Sequence, residues 1–183
     1  GGNTSVKLYF MLGLPTETLE DIAEIGNLAQ KVVDTFYGMP NRPKGKGVTV
    51  SVSCSAFVPK PFTPFQWEPQ LTLEQVRERV QYLRDAFRAE KCLKLRWHEP
   101  EMSFLEGVLS RADRRIADVV EKAYRRGAIF ASWMDHFSID PWLESLAECG
   151  LTAEEFTGAR ELDAPLPWDH LNAGVSREFL LRE

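Results

Sequence analysis

The chain places two kinds of reactive side chain, an imidazole and carboxylates, close together in sequence. His98, Glu99 and Glu101 follow a strand-like stretch that ends at Trp97. An imidazole beside two carboxylates at a strand end suits proton transfer or substrate binding. The competing use is a solvated loop in which His98 packs or caps. Asp135-His136 and Asp169-His170 add two acid–histidine pairs, but no His-x-His or His-x-x-x-His spacing joins them. No metal site is therefore expected, and these pairs read as capping and tail-docking groups. Cys54, Cys92 and Cys149 are widely separated and form no CxxC, which points away from a disulfide framework and from a compact zinc or cluster loop.

Basic residues gather twice. Arg42, Lys44 and Lys46, with Lys60 further on, could grip a phosphate or an RNA. No aromatic platform is interleaved with them, so a solvated loop is the expectation. Arg111, Arg114, Arg115, Arg125 and Arg126 alternate with Asp113, Asp118 and Glu121, and are expected to form an exposed, ion-paired helix face.

The elements that position these groups follow from periodicity. Ser5 to Leu12 is β-branched and aromatic and stops at Gly13-Leu14-Pro15, which predicts a strand and a turn. Thr16 and Thr18, with Glu17, Glu20 and Asp21, then open a helix whose apolar positions are Ile22, Ile25, Leu28, Ala29, Val32, Val33 and Phe36. A polar Pro/Gly loop leads to a second strand, Val48 to Phe57. Its one face is Val48, Val50, Val52, Cys54 and Ala56, and its other is Thr49, Ser51, Ser53, Ser55 and Phe57. Small hydroxyls in place of charges suggest a semi-enclosed polar space; a serine-rich wet face is the alternative.

The next segment, from Val58 to Gln70, holds four prolines and three aromatics and predicts a rigid loop anchored by Phe62, Phe65 and Trp67. Thr72 caps a helix to about Glu90, with Leu73, Val76, Val80, Leu83 and Phe87 inward, and Cys92 to Trp97 is a third strand. Helical stretches between the strands imply parallel pairing. Pro15, Pro59 and Pro100 then mark one common rim, where parallel α/β folds place their sites. Beyond Pro100 only helices are expected: Met102–Leu109, Ala112–Arg125, Pro141–Cys149, Thr152–Leu162 and Ser176–Arg182. Trp133, Trp142 and Trp168 are expected to bury themselves there as anchors, a partner-binding surface being the alternative.

With 183 residues, 44% hydrophobic and 27% charged, the chain has a globular composition, and its net charge of −5 disfavours a phosphate-tracking nucleic-acid domain. Apolar runs such as 128–131 are far below a membrane span, and no basic–apolar leader opens the sequence, so a cytoplasmic location is the expectation. Three parallel strands are too few for a free-standing sheet, and a closed eight-stranded barrel needs about 250 residues. The chain is therefore read as the C-terminal part of a larger protein, with a small three-layer α/β domain as the alternative.

Taken in order, the segments resemble a known family. Gly13-Leu14-Pro15-Thr16-Glu17-Thr18 followed by Glu20-Asp21 resembles the GLPGET-x-ED segment late in radical S-adenosylmethionine barrels, with Thr16 where a second glycine is usual. The stretch from Phe57 to Trp67, FVPKPFTPFQW, is similar to a segment of the cobalamin-binding members, with Phe62 where histidine is common. The tail is similar to an uncharacterised branch of that group through Trp133-Met134-Asp135-His136-Phe137, Pro167-Trp168-Asp169-His170-Leu171 and the run Gly174 to Leu180.

The resemblance implies the C-terminal βα units of a partial TIM-like radical S-adenosylmethionine barrel (residues 1–110), with about three parallel strands, and an all-helical extension (111–183). It implies S-adenosylmethionine and a 4Fe–4S cluster as cofactors, and cobalamin in this branch. The family's CxxxCxxC cluster loop and its corrinoid domain are not in this sequence, so the chain alone is expected to perform no radical chemistry. Gly13, Leu14 and Pro15 map onto backbone that contacts the adenine; Phe57 and Val58 onto its apolar cover; Ser51 and Ser53 onto positions facing the ribose or the barrel interior. The implied partners are S-adenosylmethionine, an unknown substrate and the N-terminal remainder of the same enzyme; charge and hydropathy, not the resemblance, argue against nucleic acid and membrane. A protein-binding or scaffold module, using an open sheet edge and the tryptophan-rich tail, is the other reading.

Overall fold

The computed structural model describes residues 3–42, 45–88, 90–129 and 133–183. The chain divides into two compact units: Gly1–Phe57 with Leu73–His98, and Val58–Thr72 with Glu99–Glu183. This division differs from the boundary at residue 110 expected from sequence. The loop 58–72 and the helix after Pro100 group with the tail.

The first unit is β1 (Ser5–Leu12), α1 (Leu19–Gly38), β2 (Thr49–Ala56), α2 (Leu73–Phe87) and β3 (Leu93–Trp97). The sheet is parallel in the order β1-β2-β3, as the alternation of strand and helix requires. Leu8, Val52 and Leu95 lie in register, as do Phe10, Cys54 and Trp97. Val50 and Val52 are fully enclosed on this apolar face, which α1 covers with Ile25, Ala29 and Val33 and α2 with Val76, Val80 and Leu83. Each such side chain, fully buried, contributes roughly 1.5–3 kcal/mol.

α1 begins with a capping box: Thr18 Oγ1 accepts from the Asp21 N–H, and an Asp21 carboxylate oxygen accepts from the Thr18 N–H at 2.8 Å. α2 stops at Phe87 rather than near Glu90, because the chain turns there and the Leu93 N–H bonds back to the Glu90 carbonyl at 3.1 Å. Leu28 departs from the expected core stripe of α1 and is 46% exposed.

The second unit contains a 3-10 turn (Pro64–Trp67) inside the proline-rich loop, then α3 (Pro100–Arg111), α4 (Ile116–Arg125), a 3-10 turn (Met134–His136), α5 (Asp140–Glu148), α6 (Glu154–Thr157) and α7 (Arg177–Leu180). Prolines at the first turn tolerate helix because their missing N–H would have had no partner there. α3 is longer than expected for this reason. α4 starts four residues later than Ala112, since an Asp113 carboxylate oxygen accepts from the Arg115 N–H at 2.9 Å and holds a turn. α6 is only one turn, because Gly158 is extended and the Arg160 N–H bonds to the Trp67 carbonyl at 2.8 Å.

The loop packs on its own unit, as its aromatics suggested. Trp67, Leu166, Trp168 and Leu180 form one buried cluster, with Phe62 against it. Gln66 Oε1 accepts both the Trp168 indole N–H at 2.7 Å and the Phe62 N–H at 3.1 Å. Phe65 and Trp133 depart from expectation and are 42% and 62% exposed, while Trp142 joins a second cluster with Leu105 and Ala123.

Arg111 is the largest departure. Expected on a solvated face, it is fully buried and donates to the carbonyls of Glu68 at 2.7 Å and Gly158 at 2.9 Å. The Arg160 guanidinium meanwhile donates to the Arg111 carbonyl at 2.8 Å. Burial, and then the charge of Arg160, push the Arg111 pKa down to about 10. Replacing Arg111 by Ala would strand two buried carbonyls and open a cavity. We expect Arg111→Ala to cost about 3–5 kcal/mol in denaturant unfolding, and Arg111→Met less because it refills the volume.

Candidate functional site

The loop after β1 is built on an unusual backbone. Gly13 has φ 89°, and Thr16 has φ 69°, a left-handed conformation that a β-branched residue rarely adopts. Two contacts hold it there. The Glu17 N–H bonds to the Leu14 carbonyl at 3.1 Å, and Glu17 Oε2 accepts from the Gly13 N–H at 2.8 Å. Glu17 Oε1 is in turn gripped by Arg79 Nε of α2 at 2.9 Å, with both side chains largely shielded from water. Backbone strain of this kind is retained where surrounding contacts over-determine it, and it gathers at ligand sites.

Leu14 and Pro15 border a cleft of about 510 Å³ with Phe10, Met11, Ile25 and Leu28. A second cleft of about 350 Å³ includes Val6, Leu28, Val32 and Phe36. Both run along the edge of β1 that pairs with no described strand, and they give the outward apolar residues of α1 a location.

The serine stripe lies on the sheet face opposite the helices. Ser51, Ser53 and Ser55 are half-buried, between exposed Lys7, Tyr9 and Met11 of β1 and exposed Lys94 and Arg96 of β3. In register, Ser51 stands between Lys7 and Lys94, and Ser53 between Tyr9 and Arg96. Sequence reasoning identified the hydroxyls but passed over the cations. The alternation in Leu93-Lys94-Leu95-Arg96-Trp97, read like that of β2, was the available signal.

The remaining candidates are dispersed. Phe57 is 7% exposed and its N–H bonds to the Leu12 carbonyl at 2.8 Å, so the ring is committed to the interior. Val58 is half-buried and belongs to the second unit. His98 is exposed, and its N–H extends the ladder to the Cys54 carbonyl at 3.0 Å. Glu99 and Glu101 are half-buried at the start of α3, in the second unit, so the three are not gathered within one unit. Asp169 accepts from the Leu166 N–H at 2.8 Å and pairs with Arg177, the docking role expected of it.

Among the described residues no group of three His, Cys, Asp or Glu is arranged for a metal ion. Of the basic loop residues, Arg42 stacks on Tyr37, Lys60 pairs with Glu106, and Lys44 lies outside the described residues.

Cys54 sits in the apolar face, and burial, followed by the nearby Glu17 carboxylate, raises its thiol from 9.0 to about 11. The folded state thus holds this proton more tightly than the unfolded chain, so stability is whole below pH 9 and is lost as pH rises toward 11. We expect roughly 2–3 kcal/mol to disappear across that window in urea titrations, and Cys54→Ala to flatten the loss. Thr16→Gly should raise stability by roughly 0.5–1 kcal/mol in the same assay, by relieving the strain at that position.

Over 150 residues the chain is 26% identical to Uncharacterized protein MJ0966 of Methanocaldococcus jannaschii. The match covers 82% of this chain and 31% of that protein, so the chain spans about a third of its relative's length. No protein-family model and no solved structure matches the chain.

Proposed function

We propose that the chain is the C-terminal part of a radical S-adenosylmethionine enzyme, the last βα units of a partial barrel with a helical extension. A single observation carries this reading. Within the first unit, the described helices α1 and α2 cover one face of the parallel sheet, and the other face presents hydroxyls and exposed cations. Free-standing parallel sheets are buried on both faces, whereas a barrel wall has helices outside and ligand-facing side chains at its lumen and upper rim. The edge of β1 that pairs with no described strand, with apolar clefts beside it, supports a further βα unit packing there. The far longer archaeal relative is consistent with that.

In this reading Gly13, Leu14 and Pro15 bring backbone close to the adenine, and Glu17 and Arg79 hold the loop in shape. Ser51 and Ser53 face the enclosed space. The cysteines do not fit a cluster: Cys54 is buried as a thiol, and Cys92 and Cys149 belong to different units. The 4Fe–4S cluster that would supply an electron to S-adenosylmethionine, and any cobalamin, are therefore assigned to the rest of the protein. The scaffold reading keeps exposed Trp133 and the edge of β1 that pairs with no described strand, but it loses Trp142 and Trp168, which are buried.

Anaerobic iron and sulfide analysis, with calorimetric titration of S-adenosylmethionine, tests the proposal. A protein extended to the length of the archaeal relative should carry the cluster and bind S-adenosylmethionine, and the 183-residue chain should carry no cluster. Absence of both from the longer protein would sink the reading and favour the binding module.

A further inference from the structure

We propose that the open sheet face binds the phosphate groups of a small phosphorylated molecule. This names a substrate class for the space the wall would face, and its place in an enzyme rests on the preceding reading.

By side-chain length, the face has a low centre between two flanks of longer side chains. Its floor is the central strand, where Ser51, Ser53 and Ser55 project only short hydroxyl side chains. Its walls are the flanking strands, each about 4.8 Å away, with Lys7 and Tyr9 on one side and Lys94 and Arg96 on the other. A ligand between the walls would meet cations from both sides and hydroxyl donors beneath. No aspartate or glutamate occupies a strand position on this face, and the ion pairs among the described residues do not involve Lys7, Lys94 or Arg96. Lys7 instead lies 4.7 Å from the centre of the Tyr9 ring.

Three unopposed cations exceed what a monocarboxylate neutralises. They suit the doubly charged, multiply accepting oxygens of a phosphate or diphosphate. Nucleic acid is disfavoured, because a phosphate-tracking surface makes about 6–10 such contacts and this chain carries a net charge of −5.

The test is calorimetric titration of inorganic pyrophosphate into the 183-residue chain at low salt. Saturable binding is expected, weakened at least about tenfold by Lys94→Ala with Arg96→Ala, and unchanged by Lys46→Ala in the polar loop before β2. Both replaced side chains are exposed, and an unchanged circular dichroism spectrum would show that the fold is kept. Ser53→Glu, which places a negative charge on the floor, should abolish binding by itself. The proposal is overturned by no saturable binding, by equal weakening in Lys46→Ala, or by single-stranded RNA binding more tightly than pyrophosphate. Pyrophosphate binding in a protein that ignores S-adenosylmethionine would overturn the enzyme reading and leave the phosphate site standing. The converse result would remove the phosphate site alone.

Discussion

Parallel pairing about β2 is the constraint on which the first unit depends. A parallel ladder forces each connection to return over the sheet, so α1 and α2 must cross it, and every strand must end at the same rim. The strand residues then divide by parity. Val50, Val52 and Cys54 are consumed by the core, and Ser51, Ser53 and Ser55 are left for whatever meets the other face. The strained loop at Gly13 to Glu17 follows from the same geometry, because it has to carry the chain from β1 into a helix lying on the sheet. The ion pair of Glu17 with Arg79 ties that loop to the second crossover helix.

The second unit relies on a different device. Short helices joined by turns leave many carbonyls inside, and a packed apolar core cannot answer them. Arg111 answers two, one from the proline-rich loop and one from the turn at Gly158. Gln66 does comparable work for the indole of Trp168 and the backbone at Phe62. Desolvating a guanidinium is costly, and the depressed pKa of Arg111 records that cost. Fixed multidentate geometry is what the unit gains in return, because one planar group can satisfy partners on separate segments.

How much was legible differs between the two units. Strands and crossover helices showed in the sequence because their burial is periodic, and periodicity is local information. Ser5 to Leu12 forms the strand it predicts, and the two faces of β2 divide as the alternation requires, from Val48 to Cys54. The helical region was legible in kind but not in extent. Thr152 to Leu162 has helical composition, yet it holds a single turn because Arg160 is recruited by a carbonyl distant in sequence. Arg111 was misread because the alternation of its neighbours with acids is also what an exposed face looks like. Of the candidate site, Gly13, Leu14, Pro15, Ser51 and Ser53 were placed by local pattern, whereas Lys7, Lys94 and Arg96 become a group only when three strands pair.

By itself, then, the sequence determined the α/β alternation, the parallel sheet, the common rim after Leu12, Ala56 and Trp97, and the hydroxyl face of the central strand. The elements and their faces depend on local residue order, and the parallel pairing and common rim on the order in which strands and helices alternate. Tertiary structure alone decided that Arg111 is interior, that Trp133 faces outward while Trp142 and Trp168 do not, and that Thr16 is held with positive φ by a carboxylate shared with α2. Those outcomes turn on carbonyls and cations brought together from distant segments. No local propensity encodes such partners, because the free energy of desolvating a polar group is set by what the fold places beside it.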